Sequence, residues 1–231
     1  MELEKTVIAA EKKVILPYVP TREYEVESVG ELPRKPVYEL SKRCFDIVLS
    51  GLLLILFSVP MVLLGIAVKL TSPGPALYTQ ERLGKDGKQI RICKFRTMVS
   101  DSEIDTIRWS YDADPRVTPL GRILRKYHID EIPQLWDIFR GVLSFVGPRP
   151  EREVFYDAFE TYIHGFRERL KVKPGLTGLA QVTGGSAMPP EEKIVCDVEY
   201  IKDRSFALDL KLMVKTAFVV LRKVLGNEER K

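Results

Sequence analysis

The chain has 231 residues, of which 45% are hydrophobic and 29% charged, with a formal net charge of +4. This composition excludes a disordered chain, and the length fits one domain, or one domain with a tail. The charge suits an anionic membrane surface or anionic substrates but falls short of a nucleic-acid binder, so no nucleic-acid partner is expected.

Residues 1–40 are mixed in charge with scattered prolines, carry no secretory signal pattern, and read as an N-terminal arm. Residues 41–70 hold the longest apolar stretch: Ile47 to Val68 contains no charged residue over about 22 positions, enough for a bilayer-spanning helix. Two features favour a segment that enters and returns instead. Pro60 lacks an N–H and its ring crowds the carbonyl of Leu56, while Ser58 can bond back one turn and deepen the bend. Basic residues also flank both ends, Arg34, Lys35, Lys42 and Arg43 before, and Lys69, Arg82, Lys85 and Lys88 after, which places both flanks on the cytoplasmic side. The expectation is a re-entrant helix–break–helix with its break at Ser58 and Pro60.

Residues 71–231 read as the remaining folded unit. Leu77 to Leu83 and Gln89 to Met98 alternate like two strands around the turn Gly84-Lys85-Asp86-Gly87. Thr118 to His128 predicts a short helix. A second helix is expected from Asp130 to about Arg140, with Pro133 in its first turn. Glu151 to Lys171 predicts a longer, aromatic-rich helix, and Lys173-Pro174-Gly175-Leu176-Thr177-Gly178 interrupts it. Pro190 to Arg204 predicts another helix. The last, about Phe206 to Leu225, is amphipathic: Leu210, Met213, Val214, Ala217, Phe218, Leu221, Val224 and Leu225 follow the helical period, with Lys211, Lys215 and Arg222 along the flank. Such a face packs either against a core or against a membrane surface. Trp109, Trp136, Phe155, Tyr156, Phe159 and Tyr162 are read as core or membrane-interface residues.

The chemistry concentrates at Asp130-Glu131. An Asp before a proline-containing helix start can simply be a cap. A cap needs no second carboxylate, however, and arginines surround this one: Arg122 and Arg125 upstream, and Arg149 in the rigid Gly147-Pro148-Arg149-Pro150. Arginine suits bidentate phosphate contacts. A carboxylate attacking a diphosphate meets like charge, which a divalent cation with oxygen ligands offsets. Adjacent carboxylates can divide the work, one as nucleophile and one as metal partner. The residues support covalent phosphoryl transfer and do not exclude hydrolysis. Lys94, Arg96 and Arg82 sit on or near the hairpin, either on a solvated face or at the site. Asp137 and His128 are read as structural.

These motifs, in this order, resemble the bacterial sugar transferase family, the monotopic polyprenol-phosphate phosphoglycosyl transferases. The residues carrying the resemblance are Lys42-Arg43 with Asp46; Thr71-Ser72-Pro73-Gly74-Pro75; Gln80-Glu81-Arg82-Leu83-Gly84; Lys94-Phe95-Arg96-Thr97-Met98; Arg125 with Asp130 to Leu135; Ser144 to Pro150; and Lys173 to Val182. The resemblance implies transfer of a phosphosugar from a UDP-sugar to undecaprenyl phosphate. UMP leaves first, Asp130 carries the covalent phosphosugar, and Glu131 is associated with Mg2+ (or Mn2+), so both acids are candidate metal partners. Arg125 and Arg149 organise phosphates, with Arg122, Pro148, Lys94, Arg96, Thr177 and Gly178 as further candidate substrate-site residues. It implies a bacterial inner-membrane protein with its catalytic domain on the cytoplasmic face and membrane lipids as partners. The oligomeric state, a homo-oligomer included, stays open.

The expected fold is therefore α+β: a mainly helical compact domain with a small β-hairpin element, a re-entrant membrane helix and amphipathic surface helices. The chain departs from the family pattern twice. Val59, not serine, precedes Pro60, and Thr183-Gly184-Gly185-Ser186 replaces a frequent Gly-Arg pair. Larger relatives carry extra membrane helices and a further domain, for which this length leaves no room. Two other classes share the acid pair: a membrane-bound, magnesium-dependent hydrolase of nucleotide sugars or prenyl diphosphates, and a non-catalytic nucleotide-sugar-binding subunit.

Overall fold

The computed structural model describes residues 5–9, 12–16, 23–99, 106–108, 116–185 and 188–225; Trp109 and Ser186 lie outside them. Strands β1 (Lys5–Ala9) and β2 (Lys12–Leu16) pair antiparallel, and β3 (Tyr24–Glu25) follows. Helix α1 (Pro36–Leu56) begins within the stretch read as an arm, with Pro36 in its first turn where a missing N–H costs little.

Helix α2 (Ser58–Thr71) continues from α1 across a 62° bend. No single helix among the described residues is long and apolar enough to cross a membrane, but the bent pair passes that test together on length and composition. The bend centres on Phe57, three residues before Pro60. Pro60 has no N–H to donate to Leu56, and the Ser58 hydroxyl donates to the Ile55 carbonyl at 2.7 Å instead. Proline thus sits in the first turn of the second helix rather than kinking one helix at its own position.

The hairpin is present: β4 (Leu77–Leu83) and β5 (Gln89–Phe95) pair from Leu77↔Phe95 to Leu83↔Gln89. A short strand, β6 (Thr106–Arg108), runs parallel to β2. Helix α3 (Pro119–Lys126) starts under its Thr118 cap, whose hydroxyl accepts from Gly121 N at 2.9 Å.

The expected helix from Asp130 to Arg140 is divided. Ile129–Glu131 forms a 3₁₀ turn, and α4 (Gln134–Arg140) begins only after Pro133. Proline cannot donate to the Ile129 carbonyl, so Ile132 N takes that acceptor at 3.2 Å in the tighter pattern.

Strand β7 (Ser144–Val146) leads into the Gly-Pro-Arg-Pro turn. The long helix expected over 151–171 is also shorter. Helix α5 (Glu153–Glu160) stops, a two-residue strand β8 (Ile163–His164) pairs with β3, and Phe166–Lys171 is 3₁₀. Gly165 takes φ +91°. The Glu160 carboxylate accepts from Gly165 N at 2.9 Å and Arg167 N at 3.2 Å, ending the helix with its own side chain. Strand β9 (Gly175–Thr177) pairs parallel with β7. Helices α6 (Leu179–Thr183), α7 (Pro190–Asp203) and α8 (Phe206–Val224) complete the chain.

One core packs Ile92, Leu135, Ile138, Leu143, Val146, Ile201 and Leu212 together, with Phe45, Leu49 and Leu53 of α1 against it. Fully burying each such side chain contributes about 1.5–3 kcal/mol. A second core is aromatic, with Phe155, Tyr156, Phe159, Tyr162 and Phe166, so four aromatics read as core or interface belong to the core. Trp136 is exposed and stacks on Phe139.

The first half of α1 is fastened by polar groups. Lys42 pairs with Asp209 of α8 at 2.6 Å, Asp46 accepts from Phe145 N at 3.1 Å, and Arg43 donates to the carbonyls of Ile138 and Phe139. Beyond it, Val48, Leu52, Ile55, Leu56, Val59, Val62, Leu63 and Ile66 are exposed, as are Leu210, Val214, Phe218, Leu221 and Val224 of α8. Such apolar exposure on three helices is far more than scattered surface residues explain.

Candidate active site

Three segments converge on the acid pair. The 3₁₀ turn supplies Asp130 and Glu131, both buried, at 7% exposure each. His128 enters this turn with a left-handed backbone, φ +56°, which reverses the chain after α3 and points the next residues inward. The hairpin supplies Lys94, whose Nζ donates to Glu131 Oε1 at 2.9 Å. The turn after β7 supplies Arg149, whose Nη2 donates to the same oxygen at 2.6 Å and whose Nη1 lies 3.4 Å from Oε2.

The arginine is positioned by close backbone packing. Gly147 N donates to Thr177 O at 2.8 Å and Gly175 N to Pro148 O at 3.0 Å. A Cβ on Gly175 would lie 2.1 Å from Gly147 N, one on Gly147 2.4 Å from Lys173 O, and one on Gly178 2.4 Å from Gly147 O. These glycines are required by approach, not by torsion. Behind Arg149, its carbonyl accepts from Arg169 Nη2 at 2.9 Å, and Arg169 pairs with Asp197 at 2.7 Å, both nearly fully buried. Arg82 pairs with Glu151 at 3.1 Å alongside.

The two carboxylates differ in state. Burial alone would raise the Glu131 pKa, but Arg149 and Lys94 outweigh it and hold this carboxyl well below the usual range. For Asp130, burial and then the negative charge of Glu131 push the pKa up, against the smaller pull of Lys94, Arg125 and Arg149. Among the described residues no donor hydrogen-bonds the Asp130 carboxylate. Glu131 is a fixed anion, whereas Asp130 keeps its lone pairs uncommitted.

The remaining candidates are distributed. Arg125 Nε donates to Thr97 Oγ1 at 2.8 Å and lies in the field of Asp130. Arg122 is exposed and its guanidinium makes no hydrogen bond or ion pair among the described residues. Arg96 is buried and donates to Ser72 O at 2.7 Å and Ser72 Oγ at 2.9 Å, tying the exit of α2 to the hairpin rather than joining the acid pair. Thr177 hydrogen-bonds Thr216 of α8 at 2.6 Å, and Gly178 packs on Gly147. Asp137 is fully buried, accepting from Cys93 N at 2.9 Å and Arg140 at 2.7 Å. His128 Nε2 lies 3.5 Å from Lys223 Nζ. Glu151, Arg169, Asp197 and Lys193 form the buried charge layer behind Arg149, and sequence reasoning had not singled them out. Glu151 directly follows the Gly-Pro-Arg-Pro turn and offered a signal, whereas Arg169 and Asp197 sit on elements whose pattern reads as ordinary helix.

Among the described residues no group of three or more His, Cys, Asp or Glu side chains is arranged to hold a metal ion. Asp130 and Glu131 Oε2 are hard oxygen donors, which suits an ion that keeps water and phosphate oxygens as its other ligands. The donor set therefore fits Mg2+ or Mn2+ carried with a diphosphate.

A family model described as Bacterial sugar transferase matches residues 37–223. The UDP-N-acetylgalactosamine-undecaprenyl-phosphate N-acetylgalactosaminephosphotransferase of Aeromonas hydrophila is 39% identical over 196 residues, covering 84% of this chain and 46% of the relative. UDP-glucose:undecaprenyl-phosphate glucose-1-phosphate transferases are 42% identical over 192 residues in Caulobacter vibrioides, covering 81% of this chain and 72% of that protein, and 37% identical over 206 residues in Escherichia coli, covering 84% and 44%. The chain thus spans less than half the length of two of these three relatives.

Proposed function

This chain belongs to the bacterial sugar transferase family, and on that premise we propose that it transfers a phosphosugar from a UDP-sugar to undecaprenyl phosphate at the cytoplasmic face of the bacterial inner membrane. The observation that carries this reading is the division of the acid pair: Glu131 gripped by Lys94 and Arg149, Asp130 beside it, buried and uncommitted. An Asp130 oxygen attacks the phosphorus bearing the sugar. The bond between the two phosphates breaks, its electron pair leaves with UMP, and an aspartyl phosphosugar remains. An oxygen of the lipid phosphate then attacks the same phosphorus. Asp130 departs as a carboxylate and the lipid diphosphate sugar is formed, so no proton needs to be gained or lost at Asp130. Bound with the diphosphate, Mg2+ or Mn2+ would be held by Asp130 and Glu131 and would neutralise phosphate charge. Arg149 and Lys94 keep the cleft cationic while they fix Glu131, and Arg125 adds positive charge on the α3 side. The bent α1–α2 pair and the α8 face would seat this cleft at the lipid surface, where the soluble donor and the lipid acceptor both reach it.

Intact-protein mass spectrometry tests the reading. A panel of UDP-sugars, without lipid, is expected to leave a phosphosugar mass on the wild-type protein for one or more donors, with one equivalent of UMP released. Asp130→Asn is expected to show neither. Undiminished steady-state UMP release without undecaprenyl phosphate would favour hydrolysis instead.

A further inference from the structure

Helix α8 carries its exposed apolar face on one side and a sparse polar line on the other. Asp209, Thr216 and Lys223 are spaced by seven residues, so each lies two turns beyond the last, about 10.5 Å along the axis and within about 20° of the same direction. The first two end on protein groups. Asp209, 4% exposed, holds Lys42, Tyr38 and Tyr200. Thr216 holds Thr177, on the strand that packs against the Arg149 turn. These bonds fix the rotation of α8, and that rotation delivers Lys223 to His128, two residues before Asp130, with Nζ 3.5 Å from Nε2. No carboxylate pairs with Lys223 among the described residues. A half-buried ammonium whose one hydrogen-bond partner among the described residues is an imidazole at the limit of hydrogen bonding keeps donors available for a ligand.

The second half of the proposed reaction brings a lipid phosphate, itself an anion, to an anionic phosphosugar. Lys94 and Arg149 are already engaged by Glu131. The acceptor needs a cation of its own, reached from the membrane side. Lys223 stands next to exposed Val224, near the C-terminal end of the helix whose other side carries the exposed apolar face, so an isoprenoid chain following that face to the helix end would bring its phosphate to this ammonium.

We propose that Lys223, steered by the Asp209–Thr216–Lys223 line of α8 and lying against His128, forms the subsite for the phosphate monoester of the lipid acceptor, separate from the Glu131 cradle. The proposal rests on the transfer reading above and assigns its second substrate. Because the donor half-reaction proceeds without lipid, the two can be tested apart. The full chain is placed in nanodiscs with UDP-sugar, Mg2+ and varied undecaprenyl phosphate. Lys223→Ala is expected to form the phosphosugar adduct and its UMP burst as the wild type does. Its KM for undecaprenyl phosphate should rise about 10- to 100-fold, the loss of one charge-assisted hydrogen bond, and Lys223→Arg should restore most of it. Lys211→Ala, on the exposed flank of the same helix, should leave that KM unchanged. An unchanged lipid KM in Lys223→Ala, an equal effect in Lys211→Ala, or a lost adduct would overturn the subsite. A difference that vanishes when phosphatidylglycerol content is varied would assign Lys223 to bilayer charge and overturn it too. A wild-type protein without adduct would instead overturn the transfer reading.

Discussion

Arg149 donates to Glu131 Oε1 at 2.6 Å across a gap of 18 residues in sequence, and the glutamate it meets is 7% exposed. Lys94 occupies the same oxygen from the hairpin. One buried carboxylate therefore joins three segments of the chain, so its charge is a structural requirement before it is a chemical one. Replacing Glu131 by Gln leaves two cations facing a neutral amide. The expected cost is about 2–3 kcal/mol, below that of a wholly buried pair because Arg149 keeps 36% of its side chain exposed. Thermal unfolding should show it as a drop of about 4–12 °C. A double-mutant cycle with Arg149→Ala should show coupling above about 0.5 kcal/mol, and strict additivity would deny the link.

Asp130 has a raised pKa, by burial first and by Glu131 second. A nucleophilic carboxylate must be ionised, so adduct formation should fail as pH drops through that raised value, earlier on acidification than for an ordinary aspartate. The sign for stability is opposite for the two acids. Asp130 favours the fold on the acid side and loses that contribution as pH rises through its folded pKa. Glu131, with its lowered pKa, contributes above the ordinary carboxylate range and loses it on acidification through its own folded value. Lys94 pulls the Asp130 pKa down, so Lys94→Met should move the acid limb of single-turnover adduct formation to higher pH. A limb that stays in place would separate Lys94 from Asp130 ionisation.

Gly175→Ala tests the Arg149 turn. Its Cβ would fall 2.1 Å from Gly147 N and 2.5 Å from Val146 C, backbone atoms that cannot rotate away. The turn must shift, and displacement of a charge clamp by about 1 Å costs about 10²-fold in rate. Gly51→Ala is the matching control: its Cβ would only touch the Phe139 ring at 3.5 Å, and it lies in a helix, so equal or slightly higher stability and unchanged UMP release are expected.

Asp209→Ala removes the acceptor of Lys42, Tyr38 and Tyr200 at a site 4% exposed. The stranded Lys42 should make this one of the more costly single changes, about 3–5 kcal/mol. Asp209→Asn, which keeps an acceptor oxygen, should cost less. Limited proteolysis should cut at the α7–α8 junction faster in the alanine variant than in the asparagine one, and equal rates would show that the carboxylate does not hold α8 in place.

The sequence determined by itself what depends on local pattern and residue chemistry. The hairpin at Leu77–Leu83 and Gln89–Phe95 follows from alternation around a Gly-Lys-Asp-Gly turn. The amphipathic α8 follows from its period, and the acid pair among arginines from the order of residues 122–149. The helix break was legible too, but its place was not: proline acts on a carbonyl four residues back, so the bend centres on Phe57 rather than Pro60. Only the tertiary structure decided the rest. Gly165 and a Glu160 side chain turned a predicted long helix into a short helix, a strand and a 3₁₀ segment, because a capping carboxylate competes with helix continuation. The tertiary structure decided that Glu131 is the held anion and Asp130 the uncommitted one by bringing Lys94 and Arg149 onto Glu131, since adjacent carboxylates look alike until their partners are known. It drew Arg96 to Ser72, left Arg122 in solvent, and brought Arg169, Asp197, Thr216 and Lys223 to the back and rim of the site from stretches that read as ordinary helix. Those placements are long-range, set by which helix faces the common core, and no local sequence pattern encodes them.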